Sequence, residues 1–155
     1  MAKYTIFCDM DQVLTDLNQA FYNITGVDIR GIYIDGEEFW GPINKAGLPF
    51  WEDMPWTSDG KELWKYIKKY NPTILSAPSD EIESRVGKVK WVQRELPGFK
   101  IILRKAENKR EFASPTSILI DDSKSNIDQW IESGGIGILH TSTEKTIREL
   151  KELGL

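Results

Sequence analysis

The sequence predicts an α/β fold, a doubly wound parallel sheet with a small insertion after its first strand. Three observations carry this. Short apolar runs alternate with stretches of helical periodicity, the pattern of strands joined by helical crossovers. Two of the runs end abruptly in paired acids: Tyr4-Thr5-Ile6-Phe7-Cys8 meets Asp9-Met10-Asp11, and Ser117-Ile118-Leu119-Ile120 meets Asp121-Asp122. Between Leu14 and Trp56, roughly forty residues break the alternation, too many for a structureless loop in a compact domain.

The strands are expected at Thr5–Cys8, Thr73–Leu75, Lys100–Leu103, Ile118–Ile120 and Gly137–Leu139. Each is short, apolar and rich in β-branched residues, as buried parallel strands are. Helices are expected between them. Lys61–Tyr70 starts after Ser58-Asp59 and places Leu63, Trp64, Ile67 and Tyr70 on one face. Asp80–Leu96 carries Ile82, Val86, Val89 and Leu96 and stops at Pro97-Gly98. Ser125–Glu132 carries Ile127, Trp130 and Ile131 and stops at Gly134-Gly135; Thr143–Leu153 carries Ile147, Leu150 and Leu153. Right-handed crossovers put every strand C-terminus on one edge of such a sheet, where ligands of parallel sheets bind. The interrupting segment holds five glycines (Gly26, Gly31, Gly36, Gly41, Gly47) and the aromatics Phe21, Tyr22, Phe39, Trp40, Phe50, Trp51 and Trp56. It is expected to be a small insertion lying over the sheet edge beside the acids. The division is then 1–16 and 57–155 for the core and 17–56 for the insertion.

Bulk properties narrow the function. A chain of 155 residues fits one domain with a small insertion. Its net charge of -4 and pI of about 5.1 argue against a general nucleic-acid binder, which needs a basic field. Cys8 is the single cysteine, so no disulfide forms within the chain. It is expected to be a core residue, not a nucleophile, because it sits mid-strand and the lone His140 is distant in sequence. No run approaches membrane-spanning length, and Met1-Ala2-Lys3 leads straight into a strand without a signal peptide. The expected location is therefore the cytoplasm.

Chemistry concentrates at the acid pairs. If the backbone bends after Cys8, Asp9 and Asp11 both approach one phosphate. Asp9 is then placed to attack phosphorus. Asp11 is placed to protonate the leaving oxygen and later to deprotonate water. Asp121-Asp122 adds two carboxylates, and four together call for a hard cation such as Mg²⁺. The bland alternatives are an acidic turn at Asp9-Asp11 and a helix cap at Asp122 or Ser123. Ser76, at the end of the second strand, offers a hydroxyl for phosphate, and Lys88, Lys105 and Lys109 are the candidate cations. Trp64, Trp91 and Trp130 are expected in the core. Trp40 is the candidate aromatic face for a substrate ring.

In this order, Asp9-Met10-Asp11-Gln12-Val13-Leu14-Thr15-Asp16, Ser76, a lysine and Asp121-Asp122 resemble the motifs of the haloacid dehalogenase superfamily of phosphatases. The resemblance runs from Thr5 to His140. Within the superfamily the chain is most similar to the 5′(3′)-deoxyribonucleotidases, on Asp9-Met10-Asp11, Phe39-Trp40, Ser76-Ala77-Pro78 and Gly87-Lys88-Val89-Lys90-Trp91-Val92. The resemblance implies a Rossmann-like, three-layer sheet of order 5-4-1-2-3 with a small cap after strand 1. It implies Asp9 as nucleophile and Asp11 as acid/base. Mg²⁺ would be held by Asp9, the carbonyl of Asp11 and Asp122, with Asp121 close by. Phosphate would be held by Ser76 and Lys109, with Lys88 assisting. Lys109 is preferred to Lys105 because Lys109-x-x-Phe112-Ala113 matches the family's pattern. Phe39 and Trp40 match positions that line the nucleoside pocket. The implied activity is hydrolysis of a small phosphate ester, a nucleoside monophosphate first. A sugar phosphate, a nucleic-acid 3′-phosphate or a non-catalytic binding module are the alternatives. Oligomeric state stays open, a dimer included. Two departures stand out: Gln12 occupies a position where the family usually has glycine, and Ala77 one where the nucleotidases have a second hydroxyl. Glutamine at a positive φ is strained.

Overall fold

The computed structural model describes residues 3–155; Met1 and Ala2, where the expected core segment 1–16 begins, lie outside the described residues. Five strands form one sheet: β1 (Thr5–Cys8), β2 (Thr73–Ser76), β3 (Ile101–Leu103), β4 (Ser117–Asp121) and β5 (Ile136–Leu139). Their order is β3-β2-β1-β4-β5 and every pairing is parallel. The α/β class and strand order match expectation, and the strand bounds differ from it by a residue or so at either end. β1 and β4, the strands that end in acids, are neighbours, with Cys8 paired to Ile120.

Alternation along the strands sends side chains to two faces. Ile6, Cys8, Ile74, Ile118, Ile120 and Ile138 join one cluster with Leu63, Trp64 and Ile67 of α4 (Gly60–Ile67), Trp91 and Val92 of α5 (Ile82–Glu95) and Leu150 of α7 (Thr143–Glu152). Phe7, Leu75 and Leu119 face the other way, onto Ile127 and Trp130 of α6 (Lys124–Glu132) and onto Phe112, which ends a 3-10 segment (Ala106–Phe112). Trp130 packs edge-on to Phe7 at 5.5 Å and donates from Nε1 to the carbonyl of Ser117 at 3.1 Å. Cys8, Trp64, Trp91 and Trp130 are buried, as expected. No helix among the described residues is long and apolar enough to cross a membrane.

The segment that broke the alternation is helical: α1 (Leu17–Thr25), α2 (Gly36–Ala46) and α3 (Leu48–Glu52). Asp16 caps α1 by accepting from the N–H of Gln19 at 2.9 Å, and Asp35 caps α2 by accepting from that of Glu38 at 2.8 Å. The chain leaves and returns through a paired stem. Asp16 N–H donates to Pro55 O and Thr57 N–H to Leu14 O, each at 2.8 Å, around an antiparallel Thr15–Trp56 bridge. Phe21, Ile43, Phe50 and Trp51 continue the core cluster into these helices.

Helix α5 departs from its sequence pattern. The periodic residues Ile82 and Val86 are exposed, and the buried face is Ser84, Gly87, Lys88, Trp91 and Val92. The cause is local. Gly87 lets α5 approach α3 so closely that an added β-carbon would meet Trp51 and lie 3.0 Å from the backbone nitrogen of Glu52. Ile131 of α6 is likewise exposed, while Ile127 and Trp130 turn inward. Helix α4 starts directly after Ser58-Asp59, as expected, and the Asp59 carboxylate, rather than capping it, accepts from the N–H of Thr143 at 2.8 Å and ties α4 to α7. Gly87→Ala is expected to cost about 1–3 kcal/mol of stability by overpacking the α3–α5 contact, which urea titration of the variant measures.

His140 follows β5 and is buried, its Nδ1 2.7 Å from Thr146 Oγ1 on α7. Burial holds its pKa below the ordinary 6.5; the charges of Asp59 and Lys145 act in opposite senses and are smaller. The folded state therefore prefers neutral imidazole, and below pH 6.5 the unfolded chain binds the extra proton. Stability is lost as pH falls from 6.5 towards the folded pKa, by about 1.4 kcal/mol per unit of depression. His140→Gln is expected to flatten that part of the stability profile, read from denaturation midpoints between pH 7.5 and 5.

Candidate active site

The turn after β1 brings the first two acids to the site. Cys8 ends the strand, and the carbonyl of Met10 accepts from the N–H groups of Val13, Leu14 and Thr15 at 3.2, 2.8 and 3.0 Å. Gln12 closes the coil, donating to Thr15 O at 2.6 Å with φ of 65°. This is the bend that Asp9 and Asp11 need. Met10, Val13 and Leu14 are buried and anchor it. Gln12 does occupy the left-handed region that favours glycine, and its Oε1 accepts from Asn18 N–H at 3.2 Å, at the start of α1.

Two lysines organise the carboxylates. Lys109, from the 3-10 segment, donates to Asp9 Oδ1 and to Asp121 Oδ2, each at 2.9 Å. Lys88, from α5, donates to Asp11 Oδ2 at 2.8 Å and to Ser76 Oγ at 2.9 Å, with its ammonium 5.3 Å from the ring centre of Trp51. Both lysines are almost fully buried, at 2% and 1% exposure, which is tolerable only because each is paired. Thr15 Oγ1 donates to the other oxygen of Asp11 at 2.9 Å. Asp121 is wholly buried and bonded through both oxygens: Oδ1 accepts from Ser123 N–H, and Oδ2 accepts from Asn126 Nδ2 as well as from Lys109. Asp122, next in the chain, is exposed. Ser123 is the residue that caps α6, accepting from Asn126 N–H at 3.2 Å.

Oxygens of Asp9, Asp121 and Asp122 lie within 4.8 Å of one another. Burial raises the pKa of Asp9, and Asp121 beside it adds to the rise while Lys109 opposes it. Burial likewise raises that of Asp122. For Lys109, burial works against the charge, but Asp9 and Asp121 outweigh it and hold the pKa above the lysine norm. With Asp11 included, four carboxylates face two ammoniums, leaving two formal negative charges. An all-oxygen donor set with that excess fits a hard divalent cation.

The structure thus gathers Asp9, Asp11, Ser76, Lys88, Lys109, Asp121 and Asp122 on the C-terminal edge of the sheet. Lys105 precedes the 3-10 segment and is exposed. Phe39 stacks on Phe21 at 5.4 Å within the insertion, and Trp40, 38% exposed, stacks on Trp51 at 6.4 Å. Sequence reasoning passed over Thr15, Asn126 and Trp51. Only Asn126 left a signal, three residues after the Ser123 cap, where its side chain points back to the end of β4.

No family model matches the chain, and no curated protein is similar to it in sequence. Solved structures do resemble it. A haloacid dehalogenase-like hydrolase of Xanthomonas campestris superposes with a TM-score of 0.64 at 10% identity, over 98% of this chain and 92% of that one. A HAD family hydrolase of Deinococcus radiodurans, solved with phosphate and sodium, gives 0.60 at 13% identity over 99% and 98%. A HAD-superfamily hydrolase of Ehrlichia chaffeensis gives 0.59 at 14% identity over the whole of both chains. The chain has the fold of the haloacid dehalogenase superfamily hydrolases.

Lys109→Met leaves Asp9 and Asp121 buried without their shared counter-charge. The expected loss is about 3–5 kcal/mol, measured by urea denaturation in EDTA at neutral pH.

Proposed function

We propose that the protein is a Mg²⁺-dependent phosphomonoesterase acting on a small phosphate ester, a nucleoside monophosphate in the first instance. The observation that carries this is the pair of lysine bridges, Lys109 to Asp9 and Lys88 to Asp11 and Ser76, on the sheet edge beside the Asp9–Asp121–Asp122 cluster. The phosphate bound to the Deinococcus radiodurans hydrolase is consistent with it. Residues 17–56 serve as a cap that lies over the edge and excludes water, with Phe39 and Trp40 on the substrate side.

In this reading Asp9 attacks phosphorus and forms an acyl phosphate while the bond to the leaving oxygen breaks. Asp11 gives its proton to that oxygen, then takes one from the water that hydrolyses the acyl phosphate. Both Asp11 oxygens accept hydrogen bonds in the resting site, from Lys88 and from Thr15. To carry a proton, Asp11 must lose one of these donors. Lys88 is the donor that moves, because an entering phosphate competes for it beside Ser76. Lys109 and Ser76 hold the phosphoryl oxygens, and Asn126 and Ser123 keep Asp121 oriented towards Lys109. Asp9, the carbonyl of Asp11 and Asp122 would hold Mg²⁺, with Asp121 close by, and the cation would screen the repulsion between Asp9 and the phosphate.

Phosphate release from deoxyribo- and ribonucleoside monophosphates and sugar phosphates, with Mg²⁺ or EDTA, tests the reading. Release from nucleotides should require Mg²⁺ and fall by about 10³-fold or more in Asp9→Asn. Substantial turnover by that variant would exclude the covalent route. Mg²⁺ should also raise the melting temperature of the wild type by binding only the folded state, and Asp122→Asn should shrink that rise.

A further inference from the structure

A groove of about 310 Å³ lies between α2 and the loop that follows β2, lined by Trp40, Asn44, Pro78, Ser79, Asp80 and Glu81. The loop begins just past Ser76, whose hydroxyl is bonded to Lys88. On the other side, Lys88 sits 5.3 Å from the ring of Trp51, and Trp51 sits 6.4 Å from the ring of Trp40. Trp51 therefore neighbours both Lys88 and the Trp40 wall of the groove. We propose that the groove selects leaving groups that carry amino donors on a flat ring and no second anion; this rests on the phosphatase reading above.

Three features of the groove lead there. The loop is held in shape before any ligand arrives, since Ser84 Oγ accepts from Ser79 N–H at 2.9 Å and Ser79 Oγ accepts from Glu81 N–H at 3.3 Å. Asp80 and Glu81 have no salt-bridge partner among the described residues, and Glu81, at the start of α5, does not use its carboxylate to cap the helix. Trp40 presents an exposed indole face to the same groove. Ionised carboxylates only accept hydrogen bonds, and an indole face favours a flat ring or a cation. A second phosphate or a carboxylate would meet two unpaired acids at close range. Among nucleoside monophosphates the discriminating pair is cytidine and uridine. Their rings differ at position 4, where cytosine offers an amino donor and uracil a carbonyl acceptor, and at N3, an acceptor in cytosine and an N–H donor in uracil, so only cytidine carries an amino group.

Calorimetric titration of full-length Asp9→Asn with Mg²⁺ reads the selection without turnover. The probes are cytidine monophosphate, uridine monophosphate, cytidine diphosphate and inorganic phosphate. Cytidine monophosphate should bind about tenfold more tightly than either of the other nucleotides. Adding Asp80→Asn and Glu81→Gln should bring the three together. Equal affinities for the two monophosphates, or a preference that survives the double substitution, overturns the proposal. Binding of inorganic phosphate and wild-type turnover of p-nitrophenyl phosphate without nucleotide discrimination would overturn it while leaving the phosphatase reading intact. Failure of every probe to bind, together with no turnover, would overturn both.

Discussion

Everything at the C-terminal edge of the sheet depends on how it tolerates carboxylates. β1 and β4 are adjacent and end together, so their terminal acids are forced into one small volume. Such a cluster does not persist on its own, because each buried charge costs several kcal/mol and the neighbours repel. Lys88 and Lys109 are the compensation. They come from far along the chain, 77 residues from Asp11 and 100 from Asp9, so the site forms only when the whole sheet has formed. Buried ion pairs seldom add net stability. The apolar clusters on both faces of the sheet supply what the site does not.

The same requirement explains the orientation of α5. A helix with Ile82, Val86 and Val89 at helical spacing should bury them. It instead turns Ile82 and Val86 outward, leaves Val89 half-buried, and carries a lysine, a glycine and a serine on its inner face. Lys88 must reach Asp11, Gly87 must admit Trp51, and Ser84 must hold the loop after β2. These polar and close-packed contacts have displaced part of the hydrophobic face, and Trp91 and Val92 further along hold the helix to the core.

The strands were legible because a parallel strand buried on both sides is a short continuous apolar run, and the paired acids marked where two of them stop. The sheet order came from the family resemblance rather than from periodicity. Ser76 and the acids were legible by position at strand ends. Lys88 and Lys109 were candidates among other lysines, since no local pattern separates a buried lysine from a solvated one. The face of α5 was misread because periodicity reports only apolar positions. Thr15 left no signal, as its bond to Asp11 exists only once the turn has coiled, and neither did Trp51, whose place beside Lys88 exists only once α3 packs on α5. Its helices α1–α3 were hidden by glycine and by their short length.

Gln12 shows how the insertion and the turn depend on one another. A non-glycine residue in the left-handed region costs about 1–2 kcal/mol, and glycine would remove that cost. Glutamine adds something glycine lacks, an amide oxygen that accepts from Asn18 at the first turn of α1. One residue thus joins the bend that orients Asp9 and Asp11 to the helix that opens the insertion. The stem bonds between Leu14 and Thr57 and between Asp16 and Pro55 fix the same junction from the other side. Any displacement of the insertion is then felt directly at the bend. A glycine would loosen that connection in the folded state and widen the ensemble the unfolded chain must give up. The strain at Gln12 is therefore best understood as the cost of coupling, with the geometry of Asp9 and Asp11 tied to the position of the helices of the insertion.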